Sequence, residues 1–329
     1  RAVGYEDEWV KLRLSPSEIG WVSKRSVRFL EKSRPPVISY PKTVRTMGSD
    51  SDITVTVPLA ARHPYRIIEE DDKALIVDLF GVNTDTDWIR YDSQDDLIKV
   101  ITWRQMEPEL FRLTIRTNRS IWGYDADYEG NIFRLKIRKP PRNIRKFRDL
   151  VIVIDPGHSA DPGAVGPTGL KESEANLAIA LTLRDNLSRK RARVVMTRDD
   201  MSHVPLYDRP SIARQQGADL FISIHNNALP DGLNPFVNNG VSTYYYHPHS
   251  IKLARNIQRE LRAATGLKDF GTYHGNLAVA RPTQYPAVLV ETAFIILPAQ
   301  EALLKRPEFH KKVATAIQRG IERFLKEYE

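Results

Sequence analysis

The chain contains no cysteine. This absence excludes disulfide bonds, thiolate metal ligands and a cysteine nucleophile, and it makes an oxidising compartment harmless. The sequence also lacks any apolar run of roughly 18 residues, the length that a membrane-spanning helix needs. Tryptophan is absent after residue 122, although five tryptophans precede that point. This shift in composition predicts that the 329 residues form more than one domain.

The charge balance is basic, with 49 Lys and Arg against 41 Asp and Glu, for a net charge of +8. Such a balance favours anionic partners, namely nucleic acids, lipid headgroups or wall polymers, and it is equally typical of an ordinary mixed surface. The sequence has no zinc-finger, helix-turn-helix or RNA-binding aromatic signature. We therefore expect no nucleic-acid partner.

Four segments precede the region 149–329, and the first two are short. Residues 1–33 alternate as WVKLRL and then GWVS, which predicts two or three short strands. This pattern resembles the end of a bacterial SH3-like barrel. Residues 34–51, which begin RPPVISYP, are predicted to be an extended linker.

The segment 52–139 is predicted to be a β-sandwich, because several apolar and β-branched runs follow one another between turn residues. Its KALIVDLFGV stretch resembles the AMIN-type domains that target enzymes to the cell wall. A plain spacer role is the alternative. Pro140 and Pro141 then open a basic linker, 140–148.

Residues 149–329 alternate between strand and helix patterns, which predicts a three-layer α/β domain with a mostly parallel sheet. The expected strands lie at 151–155, 192–196, 219–225, 241–246 and 287–291, and the expected helices at 172–190, 206–216, 251–264 and 307–326. We predict no helix at 226–240, where Pro230, Gly232, Pro235 and Gly240 occur. Each Gly costs a helix about 1 kcal/mol and each Pro about 3 kcal/mol.

Three of these buried strands are followed or closed by a side chain that can bind a metal or move a proton. His158 follows the first, His225 ends the second and Glu291 lies in the third, while Glu172 opens a helix. A carboxylate within an apolar strand is costly to bury unless it is paired or beside a metal. Two His and one Glu form the three-ligand set of catalytic zinc sites, which leaves the second Glu free to act on water.

The same residues resemble a known family. The motifs DPGH at 155–158, Glu172, SIHNN at 223–227 and VLVETAF at 288–294 resemble the zinc-dependent N-acetylmuramoyl-L-alanine amidases of bacterial cell walls, over about residues 149–328. The resemblance implies one zinc ion bound by His158, Glu172 and His225, with Glu291 as the catalytic glutamate. The family usually continues with Ser-Asn-Pro after this point, whereas Ile-Ile-Leu-Pro stands here at 295–298.

The resemblance further implies an exported enzyme of the periplasm or cell wall, with peptidoglycan as substrate and an activator or cell-division proteins as candidate partners. The chain starts with Arg1, so we expect that a signal peptide is not part of this sequence. Two alternatives remain. A zinc carboxypeptidase would need an arginine for the terminal carboxylate, for which Arg281 is the candidate, and a wall-binding protein would lack activity.

Three further residues are candidates for contact with substrate or with the metal ligands. Asn176 lies one helical turn after Glu172 and is expected to hydrogen-bond that carboxylate or the loop backbone. Asn227 closes the SIHNN motif. His274 is expected in a loop before the Glu291 strand.

Overall fold

The computed structural model describes residues 2–29, 35–141, 144, 147–229 and 232–328. The chain divides into two compact units, Arg1–Lys139 and Pro140–Glu329. The division falls where the predicted 140–148 linker begins. Most of the basic residues of that linker, the residues 30–34 and Pro230 lie outside the described residues.

Unit 1 begins with a three-stranded antiparallel sheet, made of β1 (Ala2–Glu6), β2 (Trp9–Arg13) and β3 (Ile19–Ser23). The turn between the last two strands is closed by the Leu14 amide, which donates to the Glu18 carbonyl at 2.9 Å. The sequence predicted two or three strands here.

The described residues 35–139 of unit 1 form a β-sandwich of nine strands. They are β4 (Thr43–Gly48), β5 (Asp52–Pro58), β6 (Tyr65–Asp71), β7 (Ala74–Phe80), β8 (Trp88–Tyr91), β9 (Ile98–Glu107), β10 (Leu110–Thr117), β11 (Gly123–Glu129) and β12 (Ile132–Arg138). One sheet has the order β6-β7-β10-β9 and the other β11-β12-β5-β4-β8. The prediction of a linker over 34–51 is therefore wrong for 43–48, because β4 pairs with both β5 and β8.

Alternating side chains fill the space between the two sheets. In β5, Ile53, Val55 and Val57 are buried while the threonines between them are partly exposed. Phe111 and Leu113 of β10 face them from the other sheet, and both belong to the same core. Period-two alternation with β-branched residues is what a strand with one buried face requires.

Asp78 is a buried charged side chain of unit 1. Asp78 in β7 has no exposed side-chain surface and stands in register between Arg66 of β6 and Arg112 of β10. Arg66 donates to it at 2.7 Å and Arg112 at 2.6 Å. Burial alone would raise the pKa of Asp78, but the hydrogen bonds from Arg112 and Arg66 outweigh burial and hold it below its ordinary value.

We expect Asp78→Asn to destabilise unit 1 by about 3 kcal/mol, because it leaves two arginines without their shared counter-charge. Urea unfolding followed by tryptophan fluorescence measures this, since all five tryptophans belong to unit 1. The lowered pKa fixes the sign of the pH dependence. The difference between wild type and variant is full above about pH 3.9 and disappears as the pH falls through the folded value.

Asp96→Asn is the matched control for this variant. Asp96 pairs with Arg119 at 2.6 Å but is 77% exposed, and exposed ion pairs contribute about 0–1 kcal/mol. Equal urea midpoints for the two variants would contradict a stabilising role of the buried pair.

Unit 2 is built on a six-stranded sheet with the order β14-β13-β15-β18-β16-β17. Its strands are β13 (Val151–Pro156), β14 (Arg193–Met196), β15 (Leu220–Asn227), β16 (Val241–Tyr245), β17 (Asp269–His274) and β18 (Ala287–Phe294). The first four strands in the order are mutually parallel, and β16 and β17 run in the opposite direction. This is the predicted α/β fold with a mostly parallel sheet.

Among the described residues of unit 2, five helices accompany this sheet: α1 (Glu172–Arg189), α2 (Asp208–Gln215), α3 (Ile251–Thr265), α4 (Pro298–Leu304) and α5 (Pro307–Lys326). Helix α5 packs against both α1 and α3, and α1 and α3 also contact the strands. A second apolar cluster lies between α2 and the sheet. It contains Ala213 of α2, Phe221 of β15, Leu289 of β18 and Val279 of the 3₁₀ turn Ala278–Ala280. No helix among the described residues is both long and apolar enough to span a membrane.

Two elements of unit 2 were not predicted, β17 and α4. His274 is therefore the last residue of a strand and not part of a loop, which corrects the expectation from the sequence. The described residues between β15 and β16 contain no helix, as predicted for 226–240.

Candidate metal centre

The strands β13, β15 and β18 are neighbours and parallel, so their carboxyl ends meet at one edge of the sheet. Open α/β sheets bind their ligands at such an edge. The candidate site lies here because His158 follows β13, while His225 and Glu291 lie near the ends of β15 and β18.

His158 adopts a left-handed backbone conformation, with φ of 59°. Such a conformation is uncommon for a residue with a side chain, and it persists only where the surroundings hold it. Two buried arginines do so: the His158 carbonyl accepts from Arg198 at 2.8 Å and from Arg209 at 2.8 Å. Burial, with nearby Arg209, lowers the pKa of Arg198 to about 10.

The imidazole of His158 is oriented by two carboxylates. Its Nδ1 lies 2.9 Å from Asp161 Oδ2 and its Nε2 lies 3.1 Å from Glu172 Oε2. The hydrogen bond with Glu172 raises the pKa of His158 despite partial burial. Because Asp161 occupies Nδ1, Nε2 is the nitrogen that faces the other donors, as in metal sites where a carboxylate orients a ligating His.

Glu172 is the first residue of α1 and is 5% exposed. Besides the contact with His158, its Oε1 lies 2.9 Å from His225 Nδ1, and its Oε2 accepts from the Ala164 amide at 2.9 Å. Burial would raise the pKa of Glu172, but its hydrogen bonds with His158 and His225 hold that pKa well below its usual range. The carboxylate is therefore ionised, which is the form that binds a metal.

The donor atoms of His158, Glu172 and His225 all lie within 4.8 Å of one another. Two glycines, Gly157 and Gly163, leave room for this group because they have no side chain. A Cβ at Gly157 would lie 2.1 Å from His225 Nε2, and one at Gly163 would lie 2.5 Å from Glu172 Oε2. Two imidazoles and one carboxylate suit a zinc ion with an open fourth position, so the residues present fit the implied metal.

We expect Gly157→Ala to displace the His225 ring and to weaken metal binding. Forcing a methyl group into a packed site typically costs about 1–3 kcal/mol, which measurement of thermal stability and of metal content detects. Gly4→Ala is the control, because its added Cβ meets Lys11 only at 3.7 Å. Unchanged metal content in Gly157→Ala would contradict the steric argument.

Glu291 stands in register with His225 on the neighbouring parallel strand, so both side chains leave the same face of the sheet. Its Oε2 is buried, and no described residue hydrogen-bonds that atom. Burial, and then the charge of Glu172, raise the pKa of Glu291 well above its ordinary value. A buried carboxyl oxygen without a partner calls for a functional explanation.

A cleft of about 400 Å³ opens beside these residues. His158 and His225 line one part of it, and the apolar side chains Leu277, Val279 and Leu289 line another. A pocket with apolar walls and a few convergent polar groups is typical of a site for an organic ligand.

The three further candidates take different positions. Asn176 donates to Glu172 Oε1 at 3.3 Å and to the Gly157 carbonyl at 3.1 Å. It therefore hydrogen-bonds both the Glu172 carboxylate and the loop backbone, the two partners that the sequence offered. Asn227 is the last residue of β15 and is partly exposed, and its contact with substrate stays a prediction.

His274 lies away from the three donors, because β16 and β17 run opposite to β18. His274 of β17 pairs with Tyr245 of β16, and the residue before Tyr245 pairs with Leu289 of β18. His274 is therefore level with the residue before Leu289, which lies three residues, or about 10 Å, along β18 from Glu291. His274 stacks on Tyr246, with ring centroids 5.1 Å apart, and contact with substrate stays a prediction.

Sequence reasoning missed several residues that support the site. Arg198 and Arg209 hold the His158 loop, Asp161 orients His158, and Asn226 donates its backbone amide to Glu172 Oε1 at 3.2 Å. The second Asn of SIHNN was named instead of the first. The alternation of side chains along a strand is the signal that distinguishes Asn226 from Asn227, since adjacent residues of a strand point to opposite faces of the sheet.

The fold and the site together define a class of protein, an α/β domain with a three-donor site at the carboxyl edge of its sheet. Residues 152–323 match the family described as N-acetylmuramoyl-L-alanine amidase. The chain belongs to this family.

Individual relatives match about half of the chain. LytC of Bacillus subtilis, an N-acetylmuramoyl-L-alanine amidase, is 39% identical over 51% of this chain and 34% of its own length. AmiA of Escherichia coli is 31% identical over 52% of this chain and 74% of its own length. This chain therefore spans about a third of LytC and about three quarters of AmiA.

Solved structures agree with the fold. The catalytic domain of CwlV from Paenibacillus polymyxa is similar with a TM-score of 0.51 and 36% identity, over 55% of this chain and 99% of that domain. An amidase from Clostridium difficile has a TM-score of 0.52 with 30% identity, over 55% of this chain and 98% of its own.

Proposed function

We propose that this chain is a zinc-dependent peptidoglycan hydrolase that cleaves the amide between N-acetylmuramic acid and the L-alanine of the stem peptide. The observation that carries the proposal is the convergence of His158, Glu172 and His225 beside Glu291. Family membership supports the amidase reaction, and the relatives' names support cell-wall peptidoglycan as the substrate. An exported location accords with that substrate.

His158 and His225 would hold the ion through ring nitrogens, and Glu172 through a carboxylate oxygen. When bound, zinc supplies Lewis-acid chemistry for an amide carbonyl and acidifies water. Glu291 accepts the proton that the attacking water gives up, and then donates it to the leaving amine nitrogen. The C–N bond breaks, a C–O bond forms, and the products are a glycan strand and a free stem peptide.

The carboxypeptidase alternative requires an arginine that binds a terminal carboxylate. Arg281 lines a neighbouring cavity with Tyr207 and Arg214, and not the cleft of His158. Arg209 is the one arginine of that cleft among the described residues, and it is engaged with Asp155 at 2.8 Å. These positions favour the amidase reaction over release of a C-terminal amino acid.

Metal analysis combined with product masses tests the proposal. Purified peptidoglycan treated with the protein should release stem peptides with a free L-alanine amine, and the protein should contain one zinc ion per chain. Release of single C-terminal amino acids would support the carboxypeptidase instead. Zinc-loaded protein without any product would support a wall-binding protein.

We propose that the site works without an activator. The described residues that join β15 to β16 form no helix that would cover the cleft. The purified chain should therefore show basal hydrolysis of soluble muropeptides when no partner protein is present. A zinc-loaded chain that stays inactive until another protein is added would overturn this part of the proposal, and such an activator or cell-division partner would then need to be identified.

Unit 1 is proposed to localise the enzyme on the wall. Its first sheet carries Trp9 and Trp21, which are 51% and 45% exposed, and exposed aromatic rings are common in binding surfaces. A chain of residues 140–329 should cut soluble muropeptides but bind whole sacculi less tightly than the full chain. Equal binding to sacculi by both proteins would leave unit 1 a spacer role only.

A further inference from the structure

The loop that joins His158 to Glu172 ends in a small hairpin. Val165 bridges to Lys171, the Gly166 amide donates to the Leu170 carbonyl at 2.9 Å, and the Glu172 amide donates to the Ala164 carbonyl at 2.9 Å. The Ala164 amide also donates to Glu172 Oε2 at 2.9 Å. The position of the hairpin therefore bears directly on a carboxylate that the proposed function assigns to the metal.

The tip of this hairpin is held by a buried carboxylate from a distant part of the chain. Glu301 is 1% exposed and accepts from the Thr168 amide at 3.0 Å and from the Leu170 amide at 3.1 Å. Gly166 lies against it, and a Cβ there would come within 2.5 Å of the Glu301 carboxyl carbon. Lys305 approaches Glu301 Oε1 at 3.7 Å and donates to Thr168 Oγ1 at 2.5 Å.

Glu301 belongs to α4, which is fastened to the end of β18. The Glu301 amide donates to the Leu297 carbonyl at 2.8 Å, and Gln300 Oε1 accepts from the Phe294 amide at 2.7 Å. The helix starts at Pro298, four residues after the last residue of β18. One short helix thus connects the hairpin before Glu172 to the strand that carries Glu291.

We propose that Glu301 is a positioning residue for the reaction: it fixes the ligand hairpin against the Glu291 strand and so sets Glu172 relative to the catalytic base. This inference rests on the proposed function, because it treats Glu172 as a metal ligand. Two oxygens that accept backbone amides hold a loop more rigidly than apolar packing does, because hydrogen bonds to charged groups are strong and directional. Glu301 itself touches neither metal nor substrate.

The experiment compares Glu301→Gln and Gly166→Ala with wild type in the full chain. Glu301→Gln replaces an acceptor oxygen by an NH₂ group, which is a donor and repels the backbone amides of the hairpin. Gly166→Ala adds a methyl group that pushes the Glu301 carboxylate away from the hairpin. In the metal-free protein, we expect amide hydrogen exchange at Thr168 and Leu170 to become at least about tenfold faster. Loss of a group that orients a ligand typically weakens metal affinity by about 10–100-fold, so chelator competition should give a higher zinc Kd, and kcat should fall more than KM rises.

Glu260→Gln is the matched control, since Glu260 is a buried carboxylate of the same unit that pairs with Arg323 in α5. It should lower stability without changing the zinc Kd or exchange at the hairpin. An unchanged zinc Kd in folded Glu301→Gln would overturn the inference. Should that variant not fold, an unchanged Kd in Gly166→Ala would overturn it equally. Wild-type protein that binds no zinc would instead overturn the proposed function, and the exchange measurement would still report on the hairpin.

Discussion

Replacement of Glu291 by Gln is expected to lower turnover by about 10²–10⁴-fold, the usual cost of losing a general base. The amide has nearly the same shape as the carboxyl group, but it does not accept a proton. Because Glu291 is not one of the three clustered donors, the zinc content and the thermal stability should stay close to those of wild type. Steady-state kinetics on a soluble muropeptide, with metal analysis of the same preparations, measures both.

The matched control is Glu174→Gln, which removes a half-exposed carboxylate from the first turn of α1. It should leave kcat unchanged. Turnover near the wild-type value in Glu291→Gln would mean that another residue is the base.

The pH profile gives a second test of the same residue. Burial, followed by the charge of Glu172, raises the pKa of Glu291, and a general base works only when it is deprotonated. Activity should therefore fall on the acid side at a pH above about 4.3, the ordinary value for Glu. The residual activity of Glu291→Gln should not show this fall at acid pH. A fall at the same pH in the variant would mean that another group titrates there.

Replacement of His225 by Ala is expected to remove both zinc and activity. A catalytic zinc site holds its ion through three protein ligands, and the variant leaves only His158 and Glu172. The loss of the Nδ1 contact at 2.9 Å also frees Glu172 on one side. Metal analysis after dialysis should find less than stoichiometric zinc, with hydrolysis at the level of the blank.

His274→Ala is the control for this experiment, because His274 is exposed and lies outside the three-donor group. It should retain one zinc ion per chain. Stoichiometric zinc in the His225→Ala protein would refute the ligand assignment, whatever its activity.

The strands and donors of unit 2 could be predicted because their signals are local. The run VIVID at 151–155 is apolar and β-branched, and the structure has β13 at Val151–Pro156. His158, Glu172 and His225 were chosen because each comes at the end or the beginning of a predicted element. Parallel neighbouring strands bring such ends to one edge of the sheet, and the structure brings these three donors together.

Elements with weak local signals were not predicted. The strand β17 contains Gly271 and lies at the edge of its sheet, and strand propensity disfavours Gly. The strand β4 was taken for a linker because prolines precede it, and one of its two pairing partners, β8, lies about forty residues further along the chain. His274 was placed near the site for the same reason: local sequence does not reveal that β16 and β17 reverse direction.

The sequence by itself determined the family, the α/β class of unit 2 and the three side chains that cluster at the edge of the sheet, since short motifs and hydrophobic periodicity specify local structure. Only the tertiary structure decided how these donors are held. Arg198 and Arg209 keep His158 at a φ of 59°, Gly157 leaves space for the His225 ring, and Glu301 fastens the hairpin from more than a hundred residues away. Contacts between residues so distant in the chain depend on how strands are ordered and helices packed, which no local pattern encodes.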